Sequence, residues 1–219
     1  HDDQLNAVIC RDFDSALAAA ATADKAVSRG ASLGPLHGVP ITVKEALDVK
    51  GLPTTWGLPP LKDNIAQRDA ESVRRLREAG AIVLGKTNVP TALADAQTVN
   101  PLYGLSRNPW DLARTPGGSS GGSAAATAAG LSALEVGSDM GGSIRVPAAF
   151  CGVFGHKPSW GVVPDQGHGL PGMIAPTDMG VIGPISRFAE DLALALDVMA
   201  GPQPLDTPAW KLNLPRDPA

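Results

Sequence analysis

The chain has 219 residues, a formal net charge of −4, 43% hydrophobic and 18% charged residues. A mildly acidic chain of this kind carries no electrostatic footprint for nucleic acid, and no apolar run reaches the length that crosses a bilayer. Glycine (25) and proline (20) together stay short of the level that marks disorder, so one large domain with a substantial core is expected.

In chain order, Asp12 or Asp14 can cap a helix running to Ser28, with Ala and Leu on its inner face and Gly30 as its stop. Val39-Pro40-Ile41-Thr42-Val43 reads as a short buried strand that delivers Lys44 at its end. Asp69 begins a second helix, 70–79, with Val73, Leu76 and Ala79 on one face and Arg74, Arg75 and Arg77 solvated. Gly80 ends it, and 81–84 (Ala-Ile-Val-Leu) is the next strand. An alanine-rich helix over 123–129 stops at Gly130, a strand follows over 133–136, and 143–150 forms a short helix with Pro147 near its first turn. The last element, 189–200, places Leu192, Leu196 and Met199 on one stripe before Gly201. Alternating helices and strands predict an α/β domain with a mixed or largely parallel sheet flanked by helices.

Two motifs suggest chemistry, and one of them fails on its context. Gly80 to Thr87 matches the phosphate-loop pattern G-x-x-x-x-G-K-[ST], which needs a strand, a glycine loop, then a helix N-terminus facing phosphate. Here a helix precedes the first glycine, and the intervening residues are Ala, Ile, Val and Leu, which favour burial. ATP binding is therefore rejected.

The second lies in two glycine-flanked serine clusters, Gly117-Gly118-Ser119-Ser120-Gly121-Gly122-Ser123 and Gly141-Gly142-Ser143. Dense glycine allows close backbone approach to a bound atom. Gly/Ser runs are commonly linkers, yet an Ala helix and an apolar strand separate these two, so a folded site is expected. A serine needs a base. None of His1, His37, His156 and His168 sits in a recognisable nucleophile-elbow or zinc pattern, so a Ser-His-Asp scheme has little support. A neutral lysine is the other route, and lowering a lysine from about 10.4 to about 7 takes roughly 4–5 kcal/mol of burial without a carboxylate partner. Most lysines keep their charge in water; Lys44, at the end of a buried strand, is the candidate. Glu45 beside it should point to the opposite face. Backbone N–H groups of Met140, Gly141, Gly142 and Ser143 can converge on a carbonyl oxygen as an oxyanion hole.

The segment from Thr115 to Phe150 resembles the amidase signature, the serine hydrolase family built around a Ser–cis-Ser–Lys triad. The likeness extends to Gly34-Pro35-Leu36-His37-Gly38-Val39-Pro40-Ile41-Thr42-Val43-Lys44-Glu45, to Gly85-Lys86-Thr87-Asn88, to Phe150-Cys151-Gly152-Val153-Phe154-Gly155-His156-Lys157-Pro158 and to Gly183-Pro184-Ile185-Ser186-Arg187. It implies Ser143 as nucleophile, Ser119 as the proton-relaying serine after a cis peptide, and Lys44 as terminal base. Asp139 and Arg145 are expected to form an ion pair that fixes the loop, with Ser120 and Ser123 hydrogen-bonding around the site. Where the family often has a Pro-Glu-Phe-like stretch, this chain has Pro90-Thr91-Ala92-Leu93, which removes a carboxylate there and leaves the triad intact.

The resemblance also implies an amidase-signature fold, no metal, no organic cofactor, and a small amide, ester or carbamate substrate. A homodimer is compatible with it. Nucleic-acid and membrane partners are not expected, and two widely spaced cysteines, Cys10 and Cys151, suit a reducing, cytoplasmic setting. The alternatives are the glutamine-hydrolysing subunit of a tRNA-dependent amidotransferase and a non-catalytic relative. Residues 1–219 are expected to form a single domain of a longer protein, incomplete at the C-terminus and open to further chain at the N-terminus, the alternative being a short relative that completes its pocket differently. The start at His1 without Met leaves room for a removed signal peptide. Substrate choice is expected to involve the loop 160–176, with its Met173.

Overall fold

The computed structural model describes residues 1–173, 175 and 177–214; Ile174, Pro176 and 215–219, parts of the substrate loop and of the C-terminal end, lie outside the described residues. The run Pro-Ile-Thr-Val-Lys forms β2 (Pro40–Lys44), and its alternation decides the architecture. Ile41 and Val43 face one apolar layer, Thr42 and Lys44 the other, and all four are fully buried. A strand buried on both faces belongs in the middle of a sheet. β2 indeed pairs in parallel with β3 (Ile82–Thr87) and with β6 (Leu134–Asp139).

The six-stranded sheet has the order β1-β3-β2-β6-β8-β7, with β1 (Val8–Arg11), β7 (Phe154–Gly155) and β8 (Val181–Ser186) all antiparallel to their neighbours. It is a mixed sheet. β2 and β3 shift register at Ile41/Thr42, opposite Gly85, whose φ is +155°. A Cβ there would lie 2.1 Å from the Cys10 carbonyl oxygen, so only glycine lets β1 close on β3.

One face is covered by α3 (Glu71–Glu78) and α6 (Ala189–Met199), whose Val73, Leu76, Ala195 and Met199 pack on Ile41, Val43 and Val136. The other carries α4 (Gly121–Ala128), which packs with α5 (Arg145–Cys151), while α1 (Asp2–Leu5) brings Leu5 to the same apolar cluster. α4 is built only of Gly, Ser, Ala and Thr and lies close to the sheet: a Cβ on Gly122 would come within 2.4 Å of the Asn88 nitrogen. α2 (Phe13–Ser28) packs beside β3. A two-stranded ribbon, β4 (Val99–Asn100) with β5 (Gly104–Leu105), stands apart.

Two expectations change. On α2 only Ala16 is buried, while Leu17 is 70% exposed, so the apolar inner face shrinks to one small residue. Arg75 is not solvated. The buried Glu71 carboxylate accepts from its Nε at 2.8 Å, and its remaining N–H groups donate to the carbonyls of Met199 and Pro202, tying α3 to the end of α6.

Candidate active site

Lys44 leaves the end of β2 and its Nζ reaches Ser119 Oγ at 2.7 Å, Ser138 Oγ at 2.9 Å and the Ser138 carbonyl at 3.3 Å. Both Lys44 and Ser119 are essentially inaccessible. Burial pushes the Lys44 amine down to about 7, against the opposing pull of Asp139 and Glu135. Glu45 is turned away. Its carboxylate accepts the N–H groups of Thr55 at 2.5 Å and Trp56 at 2.9 Å. Burial raises its proton affinity.

Ser119 follows a cis Gly118–Ser119 peptide bond. Its neighbour Ser120 donates its N–H to the Ser143 carbonyl at 3.0 Å, which ties the first serine loop to the second. Ser120 Oγ bridges the Ser138 backbone, at 3.3 Å from its carbonyl and 3.4 Å from its nitrogen. Ser143 is half-buried, and its hydroxyl makes no protein hydrogen bond among the described residues.

Asp139, at the end of β6, shapes the loop that carries Ser143. Its carboxylate accepts the N–H groups of Gly142 (2.8 Å), Ile144 (3.0 Å) and Arg145 (3.2 Å), and the Arg145 guanidinium at 2.9 and 3.1 Å. Burial alone would raise this carboxyl, yet Arg145 and the three N–H groups hold it at about 2. One of the four N–H groups expected to face a carbonyl oxygen, that of Gly142, is thus committed to Asp139 Oδ1. Those of Met140, Gly141 and Ser143 donate to no protein acceptor among the described residues. Met140 and Gly141 are exposed.

Ser123 stands away from Ser119. Its hydroxyl bonds Thr87 Oγ1 at 2.9 Å, and Thr87 in turn donates to Glu135 Oε1. The motif resembling a phosphate loop is therefore consumed by the core. Lys86 is buried in β3, donates to the Pro53 carbonyl and to Thr54 Oγ1 at 2.9 Å, and is pushed down to about 8 by burial.

Sequence reasoning missed Ser138, Glu135 and the placement of His168. Ser138 sits where a serine in an apolar strand reads as filler, and Glu135 is a lone acid in Ala-Leu-Glu-Val-Gly. His168 stacks near Trp56 with ring centroids 5.1 Å apart. Its Nε2 is buried without a hydrogen-bond partner among the described residues, and burial with the nearby Lys44 depresses it to about 3. It belongs to the loop 160–176, which is fastened by Asp48 N–H to the Gly167 carbonyl (2.8 Å) and Glu71 N–H to the Gln166 carbonyl (3.0 Å). Among the described residues no His, Cys, Asp and Glu side chains cluster as metal ligands, no helix is long and apolar enough to cross a membrane, and Cys10 and Cys151 are free thiols.

The mixed sheet between helix layers is a fold shared with amidase-signature enzymes. A family model described as Amidase matches residues 1–217, and the chain belongs to the amidase (amidase signature) family. Acylamidase from Rhodococcus erythropolis is 48% identical over 202 residues, 92% of this chain and 42% of that protein. A Glutamyl-tRNA(Gln) amidotransferase subunit from Alkaliphilus metalliredigens (strain QYMF) is 45% identical over 206 residues, 94% of this chain and 41% of its own length. Native peptide amidase from Stenotrophomonas maltophilia superposes with a TM-score of 0.83 at 37% identity, over 93% of this chain and 42% of the peptide amidase. The chain spans about two fifths of the length of the curated relatives it matches.

Proposed function

We propose that this chain carries the acyl-transfer centre of an amide hydrolase, with Ser143 as nucleophile, Ser119 as proton relay and Lys44 as base. The observation that carries this reading is the 2.7 Å contact between Ser119 Oγ and a buried amine held at about 7, with no carboxylate bonded to it among the described residues. A neutral amine has one lone pair and two N–H groups. The Ser138 carbonyl can only accept, Ser138 Oγ takes the second N–H, and the lone pair is left for the Ser119 hydroxyl.

The proton of Ser143 passes to Ser119 as the Ser119 proton passes to Lys44, and Ser143 Oγ adds to the substrate carbonyl carbon. The oxyanion is received by the uncommitted N–H groups among Met140, Gly141 and Ser143, one such donor being worth about 3 kcal/mol. Collapse breaks the C–N bond, and the leaving nitrogen takes a proton from Ser119, which is refilled from the Lys44 ammonium. Water then enters by the same relay in reverse and frees the acid. Every proton is accounted for by Lys44, Ser119 and Ser143 without a metal or an organic cofactor. Esters and carbamates offer the same carbonyl and are expected as further substrates.

A fluorophosphonate followed by peptide mass spectrometry tests this reading, with circular dichroism to check that the chain is folded. A single adduct on Ser143, absent in Lys44→Ala, is expected. An adduct on Ser119 would exchange the two serine roles, and undiminished labelling of folded Lys44→Ala would overturn the base.

A second reading is favoured by the 45% identity to the amidotransferase subunit. Under it the substrate is the side-chain amide of glutamine and the protein works beside partner subunits. Glutamine turnover that appears only with co-purified subunits would support it; turnover of simple aliphatic amides by the protein alone supports the first.

A further inference from the structure

The Lys44 pocket has a second buried acid beneath it. In the parallel pairing of β2 with β6, Thr42 lies opposite Glu135, so Thr42, Lys44 and Glu135 share one face of the sheet. In the pairing of β2 with β3, Lys44 lies opposite Thr87, whose hydroxyl donates to Glu135 Oε1. The Val136 N–H donates to Glu135 Oε2 at 2.8 Å, and Ser123 supports Thr87 from α4. The carboxyl is fully buried and no cation hydrogen-bonds it among the described residues.

We infer that Glu135 is a positioning residue for the reaction, a buried carboxyl that sets the proton affinity of Lys44 through the field inside this layer. The inference rests on the reading of Lys44 as base. With one proton between them, Lys44 ammonium with Glu135 carboxylate and Lys44 amine with Glu135 acid carry the same total charge. The second form is the one that can take a proton from Ser119. Burial drives the Glu135 carboxyl up to about 7, close to Lys44.

The other charges around the pair are accounted for. Asp139, on β6, pairs with Arg145 of α5 and still pulls on Lys44 in the same sense as Glu135, a contribution that stays in place when Glu135 is replaced. His168, in the loop over Lys44, is held neutral. Lys86 on β3 and Glu45 after β2 act on each other, Glu45 opposing the depression of Lys86 and Lys86 opposing the rise of Glu45. α4 and β8 contain no titratable side chain.

The test is the rate of fluorophosphonate labelling of the protein from pH 5 to 9. Glu135→Gln removes the charge and keeps a partner for both Thr87 and the Val136 N–H. Its acidic limb should move down by about one pH unit, the effect of one carboxylate two strand positions away at an effective dielectric near 20. Glu135→Asp should hold the limb near its original place. Thr87→Val, which withdraws the hydroxyl that favours the carboxylate, should move it down by a smaller step and keeps the test open if Glu135→Gln does not fold. A limb unmoved or moved up in folded Glu135→Gln or Thr87→Val, while Lys44→Met stays unlabelled, overturns the role of Glu135 alone. Labelling of Lys44→Met at the original rate overturns the base itself, and this inference with it.

Discussion

Replacing Lys44 by Met should abolish labelling of Ser143 and change how stability depends on pH. In the folded protein the amine sits at about 7 instead of its ordinary 10.5. That difference corresponds to on the order of 5 kcal/mol by which folding disfavours the charged lysine. Because the folded value lies below the unfolded one, the unfolded chain binds more protons between about pH 7 and 10.5, and native stability rises across that window. The disadvantage is complete below pH 7 and relieved towards 10.5. Met carries no proton, so its stability relative to the parent should fall by about 1.4 kcal/mol for each pH unit in the window. Loss of the contacts to Ser119 and Ser138 adds a constant offset of about 1–3 kcal/mol. The slope is therefore the diagnostic. Lys86, held at about 8, titrates in both proteins and cancels. Urea unfolding of both at pH 7.5, 8.5 and 9.5 measures it, and parallel stability curves would refute a neutral Lys44.

Ser143→Ala should remove the fluorophosphonate adduct yet melt within about 1 °C of the parent, since the half-buried hydroxyl makes no protein hydrogen bond among the described residues. Asp139→Asn should cost about 2 kcal/mol in denaturant unfolding at pH 7 and slow labelling more than tenfold, because the clasp on Gly142, Ile144 and Arg145 is weakened. The folded carboxyl lies below its ordinary value, so its contribution is present above about pH 4 and lost as pH falls through about 2; the gap between variant and parent should close in that range. Gly122→Ala pushes a methyl group to 2.4 Å from the Asn88 nitrogen and should lower Tm by roughly 10 °C, from about 3 kcal/mol of overpacking.

Elements with strong local punctuation were legible in the sequence. Gly30, Gly80, Gly130 and Gly201 bound helices that the structure ends within two residues of them. The alternation of Pro40 to Lys44 revealed the strand that delivers Lys44, and predicted that Glu45 turns away. β8 escaped because Gly183 and Pro184 interrupt it, two residues that ordinarily argue against a strand interior. Its place beside β6 comes from long-range pairing, which local pattern does not contain. Arg75 and Glu135 escaped for a related reason: a charged residue on a helix or in a short strand is solvated by default, and only the tertiary partners, the Met199 and Pro202 carbonyls for the first and Thr87 for the second, reveal its placement. The spare N–H groups of the Ser143 loop could be proposed from sequence. The commitment of Gly142 to Asp139 could not, because it depends on where β6 ends.

An uncharged amine is also the form that adds to carbon dioxide and to aldehydes, so a lysine held at about 7 would be open to carbamylation and glycation at physiological pH if it met solvent. Lys44 is fully inaccessible and sits on a strand paired on both sides, so no fraying edge exposes it. It meets such reagents only when the layer packed over this face of the sheet opens, and its slow covalent modification over a protein's lifetime then counts those openings.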